Sequence, residues 1–235
     1  MREFKLSKLT FTITELRDIA ISVFVLGLLF SFGVNKETWN ELILYYLGAT
    51  FVLGVSFVLH ELGHKFVAQS YGAHANYTLW WSGLLISLLV GVASGGRLIF
   101  FAPGFVLISS SLASRFGFGQ TFLREEEVGK ISVAGPLTNI ILLFLFKLFS
   151  PVLPFELWTQ MVILNAWLAL FNLIPVPPLD GSKVFVWRRD IWFALATISL
   201  VSLFFAIPVS LVVFISFTIA ILVAGAIFLS HYGIL

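Results

Sequence analysis

From Ile43 to Leu59 no residue carries a charge, and the chain then reads His60-Glu61-Leu62-Gly63-His64. A run this apolar belongs in a bilayer or deep in protein, and three polar groups within five residues need a reason to be there. An ionisable side chain at membrane depth costs roughly 2.5–3.5 kcal/mol on insertion scales, so it marks a functional site by default. On a helix, positions i and i+4 share a face, and His60 and His64 therefore point the same way. Glu61 is turned from His60 by about 100°. The bland alternative is a few stray polar residues on a helix that packs against protein, and the apolar surroundings argue against it.

Two imidazoles one turn apart with a glutamate beside the first form the H-E-x-x-H pattern, in which the histidines bind zinc and the glutamate acts as general base. Such a site takes three protein ligands and leaves a fourth position open. The other histidines, His74 and His231, read as interfacial polar residues. Among the carboxylates, Asp180 stands apart. It follows an apolar segment directly, in Asn172-Leu173-Ile174-Pro175-Val176-Pro177-Pro178-Leu179-Asp180-Gly181. The prolines remove backbone donors and stop a helix, and Gly181 permits a tight turn. Taken alone, the segment is equally an ordinary helix stop with an Asp-Gly turn.

The chain as a whole is apolar too. Of 235 residues, 59% are hydrophobic and 11% charged, against about 25% charged in soluble domains, and the mean hydropathy is +1.02. These values predict an all-α polytopic membrane protein forming a single domain over 1–235. Apolar segments lie near 19–34, 43–71, 79–94, 98–113, 131–149, 157–175, 191–207 and 209–229. About six of them read as transmembrane helices, those at 191–229 forming a C-terminal pair. The interrupted pair at 79–113 reads as a short membrane-inserted hairpin or a re-entrant segment containing β-structure; Leu98–Phe101 and Phe105–Ile108 suit strands. The first apolar run reads as a retained span, since no small-residue cleavage site ends it. Residues 114–130 read as a solvated cytoplasmic loop. Arg2, Lys5, Lys8 and Arg17 ahead of the first span place the amino terminus and the His64 end in the cytoplasm. A net charge of +2 gives no sign of nucleic acid, and without cysteine there is neither a disulfide nor a thiolate metal site.

Three motifs resemble the site-2 proteases, intramembrane zinc metalloproteases: His60–His64, then Ala134-Gly135-Pro136-Leu137-Thr138-Asn139, then Asn172–Gly181. The resemblance covers roughly residues 43–75 and 125–190. It implies that His60, His64 and Asp180 bind one zinc ion and that Glu61 is the catalytic base. It implies further that Asn139 lies near the site, positioning substrate or stabilising an oxyanion, although a Gly-x-x-x-Asn pattern by itself suits helix packing. The substrates so implied are transmembrane proteins within the lipid bilayer. The region 72–130 is longer and more apolar than in compact members of that family. Three other readings compete. Prenyl-protein endopeptidases use a distant glutamate, for which Glu156 is the late candidate. A transporter or proton channel would use His60, Glu61 and His64 as a relay. An inactive relative would have no need to keep the whole set.

Overall fold

A computed structural model describes residues 3–6, 9–32, 38–95, 103–109, 112–114, 117–119, 123–149 and 155–204, together with Ile219 and Val223. The chain divides into two compact units, Met1–Phe122 and Leu123–Leu235.

The first unit begins with a hairpin of β1 (Glu3–Leu6) and β2 (Leu9–Thr12), which runs directly into α1 (Ile13–Ser31). Thr12 starts that helix. Its side chain accepts from the Glu15 amide at 3.1 Å, while its own amide donates to the Glu15 carboxylate at 3.4 Å. This reciprocal capping box sets α1 six residues ahead of the apolar run expected at 19–34. The long helix α2 (Trp39–Ser70) follows, capped by the Thr38 side chain at the Glu41 amide. It ends at Ser70, and two residues on the chain turns at Gly72, whose φ of +69° suits a residue without a Cβ.

Beyond that turn, β3 (His74–Leu79) pairs antiparallel with β4 (Gly104–Ser109), and α3 (Trp81–Ala93) lies between them in sequence. Burial along β3 alternates. Ala75, Tyr77 and Leu79 are buried, whereas Asn76 and Thr78 are half-buried, as period-two geometry requires. Tyr77 meets Phe57 of α2 edge to face, with ring centroids 5.3 Å apart, and Ile19 of α1 completes the cluster. A third antiparallel pair joins β5 (Leu112–Ser114) to β6 (Gly117–Gly119).

The second unit is helical: α4 (Glu125–Leu148), α5 (Phe155–Asn172), α6 (Asp180–Trp187) and α7 (Arg189–Phe204). Leu143 of α4 packs with Val162 and Ala166 of α5 and Val201 of α7. A second cluster joins Ile140, Ala169, Leu173 and Leu195. The indole of Trp192 donates to the Leu173 carbonyl at 2.6 Å, tying α7 to the end of α5.

The expectation of about six transmembrane helices is overturned. Seven helices stand among the described residues, and two of them, α2 and α4, are long and apolar enough to cross a membrane. At 32 and 24 residues and 1.5 Å per residue, both exceed the ~30 Å hydrocarbon core. The others fall short for separate physical reasons. α1 carries Glu15, Arg17 and Asp18 near its start. α3 has 13 residues, about 20 Å of helix. α5 spaces Gln160, Asn165 and Asn172 along its length, and the described part of α7 has 16 residues. Nor is the chain purely helical, since three two-stranded sheets accompany the helices. The supposed loop at 114–130 is helical from Glu125, where an i,i+4 ion pair joins Glu126 to Lys130. The expected strand at Leu98–Phe101 and most of 209–229 lie outside the described residues.

Between α5 and α6 the chain turns through a cis Pro177-Pro178 bond. The Val176 amide donates to the Ile174 carbonyl and the Leu179 amide to that of Val176. Gly181 is required here by a close approach, not by a left-handed backbone. A Cβ at this position would stand 2.1 Å from the Leu173 carbonyl oxygen and 2.6 Å from that of Ile174. Gly181→Ala is therefore expected to push α6 off the end of α5 and destabilise the fold by about 1–3 kcal/mol. A lowered unfolding midpoint of the purified variant would show it; an unchanged midpoint would mean that the turn yields freely.

Candidate metal centre

In the first unit, α2 holds His60 and His64 one turn apart, 3% and 2% exposed. Their Nε2 atoms lie 3.1 Å apart, with ring planes crossing at 79°. Two nitrogens bound to one tetrahedral zinc at 2.0–2.1 Å stand about 3.3 Å apart. The pair thus converges as two ligands of one ion do, and the sequence expectation for its shared face holds at the atomic level. Glu61 sits beside them, half-buried.

The surroundings of this turn were not anticipated. Lys65, the residue after His64, is 3% exposed, and its ammonium donates to both carboxylate oxygens of Glu15 at 2.7 and 2.6 Å. The Phe11 ring lies 4.3 Å below the same ammonium. Glu15 also accepts from the Tyr77 amide at 3.1 Å, and Asp18 accepts from the Leu79 amide at 3.2 Å. Burial holds the Tyr77 phenol well above its ordinary value, and the Glu61 and Asp18 carboxylates add to the effect. The phenol therefore stays protonated. It donates to Ser22 Oγ at 2.8 Å, because the Ser22 hydroxyl is itself given to the Asp18 carbonyl.

In the second unit, Asp180 is the first residue of α6 and is 8% exposed. Lys183, one turn on, brings its ammonium to 3.9 Å from the Asp180 carboxylate. Asn139 lies in α4, fully buried, and its amide donates to Asn165 Oδ1 of α5 at 3.0 Å; Asn165 donates in turn to the Met161 carbonyl. That contact is the helix-packing role a Gly-x-x-x-Asn pattern suggests. Asn165 is not legible as a partner in the sequence, since one asparagine within an apolar helix carries no spacing signal. His231 lies outside the described residues.

A protein of Methanocaldococcus jannaschii named "Putative zinc metalloprotease MJ0611" is 35% identical to this chain over 187 residues, which make up 77% of this chain and 88% of that protein. The chain belongs to that zinc metalloprotease family. A Bacillus subtilis protein named "Putative zinc metalloprotease YwhC" is 30% identical over 150 residues, 55% of this chain and 64% of its own. The M. jannaschii "Zinc metalloprotease MJ0392" is 30% identical over 138 residues, 57% of this chain and 32% of its own. No family model matches the chain, and no solved structure does. Within this zinc metalloprotease family, the buried histidine pair on α2 is the feature of the chain that suits a metal ion.

The amide pair of the second unit makes its own prediction. Asn139→Leu or Asn165→Leu alone removes one half of a buried hydrogen bond, at about 1–3 kcal/mol each. The double substitution is expected to cost less than the two added together, the coupling that neighbours in one hydrogen bond show. Unfolding midpoints of the four proteins test this, and strict additivity would rule the coupling out.

Proposed function

We propose that the chain is a zinc-dependent intramembrane endopeptidase of the site-2 protease type, hydrolysing peptide bonds of membrane-spanning substrates. One observation carries the reading above the others: two buried imidazoles whose Nε2 atoms lie 3.1 Å apart on a helix apolar enough to cross a membrane, with Glu61 between them in sequence. The zinc in the names of the relatives supports the choice of ion.

In this reading His60, His64 and Asp180 hold the ion. Each is buried and offers one ligand atom, and two histidines with a carboxylate make a ligand set known for catalytic zinc. Zinc held there would supply Lewis-acid chemistry toward water and the scissile carbonyl. Glu61 takes the proton of the attacking water and returns it to the leaving amine. The apolar length of α2 and α4 supports a bilayer setting and a membrane-embedded substrate. An ion relay through His60, Glu61 and His64 has no support from the relatives, which are named for zinc and proteolysis.

Glu61→Gln is expected to keep zinc at native stoichiometry and lose cleavage by at least a thousandfold. Robust proteolysis by that variant would remove Glu61 as the base. Asp180→Ala is expected to lower zinc content. If zinc and turnover both survive in it, the third ligand lies elsewhere. Metal analysis beside a cleavage assay on a membrane-spanning substrate reads both, and a native chain that carries no zinc and conducts protons would favour the relay.

A further inference from the structure

In the second unit, α5 and α7 leave an open groove of about 500 Å³ between them. Trp192, Ala196 and Leu200 line it from α7, four residues apart and so on one face. Trp167 and Phe171 line it from α5, with Ile174 just beyond the helix end. None of the residues lining it is charged, and the Trp192 indole N–H is already given to the Leu173 carbonyl. Trp167, Ile174 and Leu200 stay exposed along it. An exposed apolar wall of this kind marks a binding site for something apolar.

One end of the groove carries charge. Arg189 opens α7 three residues ahead of Trp192, on the same face. Its guanidinium lies 5.3 Å over the Phe185 ring, and Phe185 meets the Trp192 ring edge to face at 5.2 Å. Arg188 and Asp190 pair and cancel, which leaves this end positive through the exposed Arg189. From Trp192 to Leu200 the groove follows about 12 Å of helix. A partner helix is ~10–12 Å across and over that length would need roughly 1,000 Å³, twice the space present. A single hydrocarbon tail is thin enough to enter. We propose that the groove between α5 and α7 holds one tail of an anionic phospholipid whose phosphate meets Arg189. A guanidinium pairs with phosphate oxygens in bidentate fashion, and basic side chains beside membrane helices recognise anionic headgroups. This goes beyond the metalloprotease chemistry and rests only on the bilayer setting of that reading.

The test titrates the delipidated full chain, in detergent micelles, with dioleoylphosphatidylglycerol or dioleoylphosphatidylcholine. The two lipids share their tails, and native mass spectrometry counts what is retained. The native chain is expected to retain one phosphatidylglycerol, with at least a tenfold preference over phosphatidylcholine. Glycerol 3-phosphate, a head without a tail, is expected not to compete at a hundredfold excess. Arg189→Gln is expected to bring the two lipids within twofold of each other, and Ala196→Trp to abolish retention of both by filling the groove. Should the unfolding midpoint show that Ala196→Trp does not fold, Leu200→Trp at the exposed end of the groove takes its place. Equal retention of the two lipids by the native chain overturns the proposal. So does a preference that survives Arg189→Gln, retention that survives the groove-filling substitution, or competition by glycerol 3-phosphate. If residues 205–235, a second copy or another protein closes the groove, the native chain retains no more lipid than the groove-filling variant, and the proposal is likewise overturned. A chain that stays in solution without detergent and does not enter phosphatidylglycerol vesicles refutes the bilayer setting itself. Loss of the lipid preference in a chain that does enter them refutes this proposal alone.

Discussion

Ionisable groups in an apolar chain must find partners, and the first unit is organised around that requirement. Glu15, Asp18 and Lys65 are all at most 8% exposed. An unpaired charge in such surroundings costs several kcal/mol, and here the charges are matched across three elements. The Glu15 carboxylate meets the end of α2 through Lys65 and meets β3 through the Tyr77 amide, while it also closes the cap of α1. A buried ion pair adds little net stability compared with apolar residues of the same shape. Its value lies in placement. It fixes the rotation of α2 one residue past His64, and with it the direction in which both imidazoles face.

The second unit achieves placement with neutral groups. The amide pair of Asn139 and Asn165 sets α4 against α5. The Leu173 carbonyl is held by the Trp192 indole and crowded by Gly181. The start of α6, where Asp180 stands, is therefore located by backbone contact. A short helix seated this way carries its first side chain at a set position, which a flexible loop would not provide.

The local parts of this arrangement could be read from sequence. The five-residue spacing of the histidine motif dictated a shared face, and the two imidazoles share it. The prolines after Asn172 announced the end of a helix, and α5 ends there. Thr12 and Glu15 also spell a capping box, which starts α1 ahead of the apolar run at Ile19. The number of spanning helices was misread because hydropathy records composition, whereas crossing a bilayer also needs uninterrupted helix. Glu15, Arg17 and Asp18 in α1 and the brevity of α3 interrupt it. What could not be read was tertiary. Nothing near Lys65 names Glu15 as its partner, and nothing near Gly181 reveals the carbonyl that excludes a Cβ.

One consequence follows from the register of β3. The Trp80 amide bonds to the Pro103 carbonyl, so in an antiparallel ladder the amides of Tyr77 and Leu79 face away from β4. Both are already spent on the carboxylates of α1. Two of the outward amides of β3 are thereby closed to a stray strand from another molecule. The contacts that orient the histidine helix thereby also cover part of the β3 edge of this small sheet.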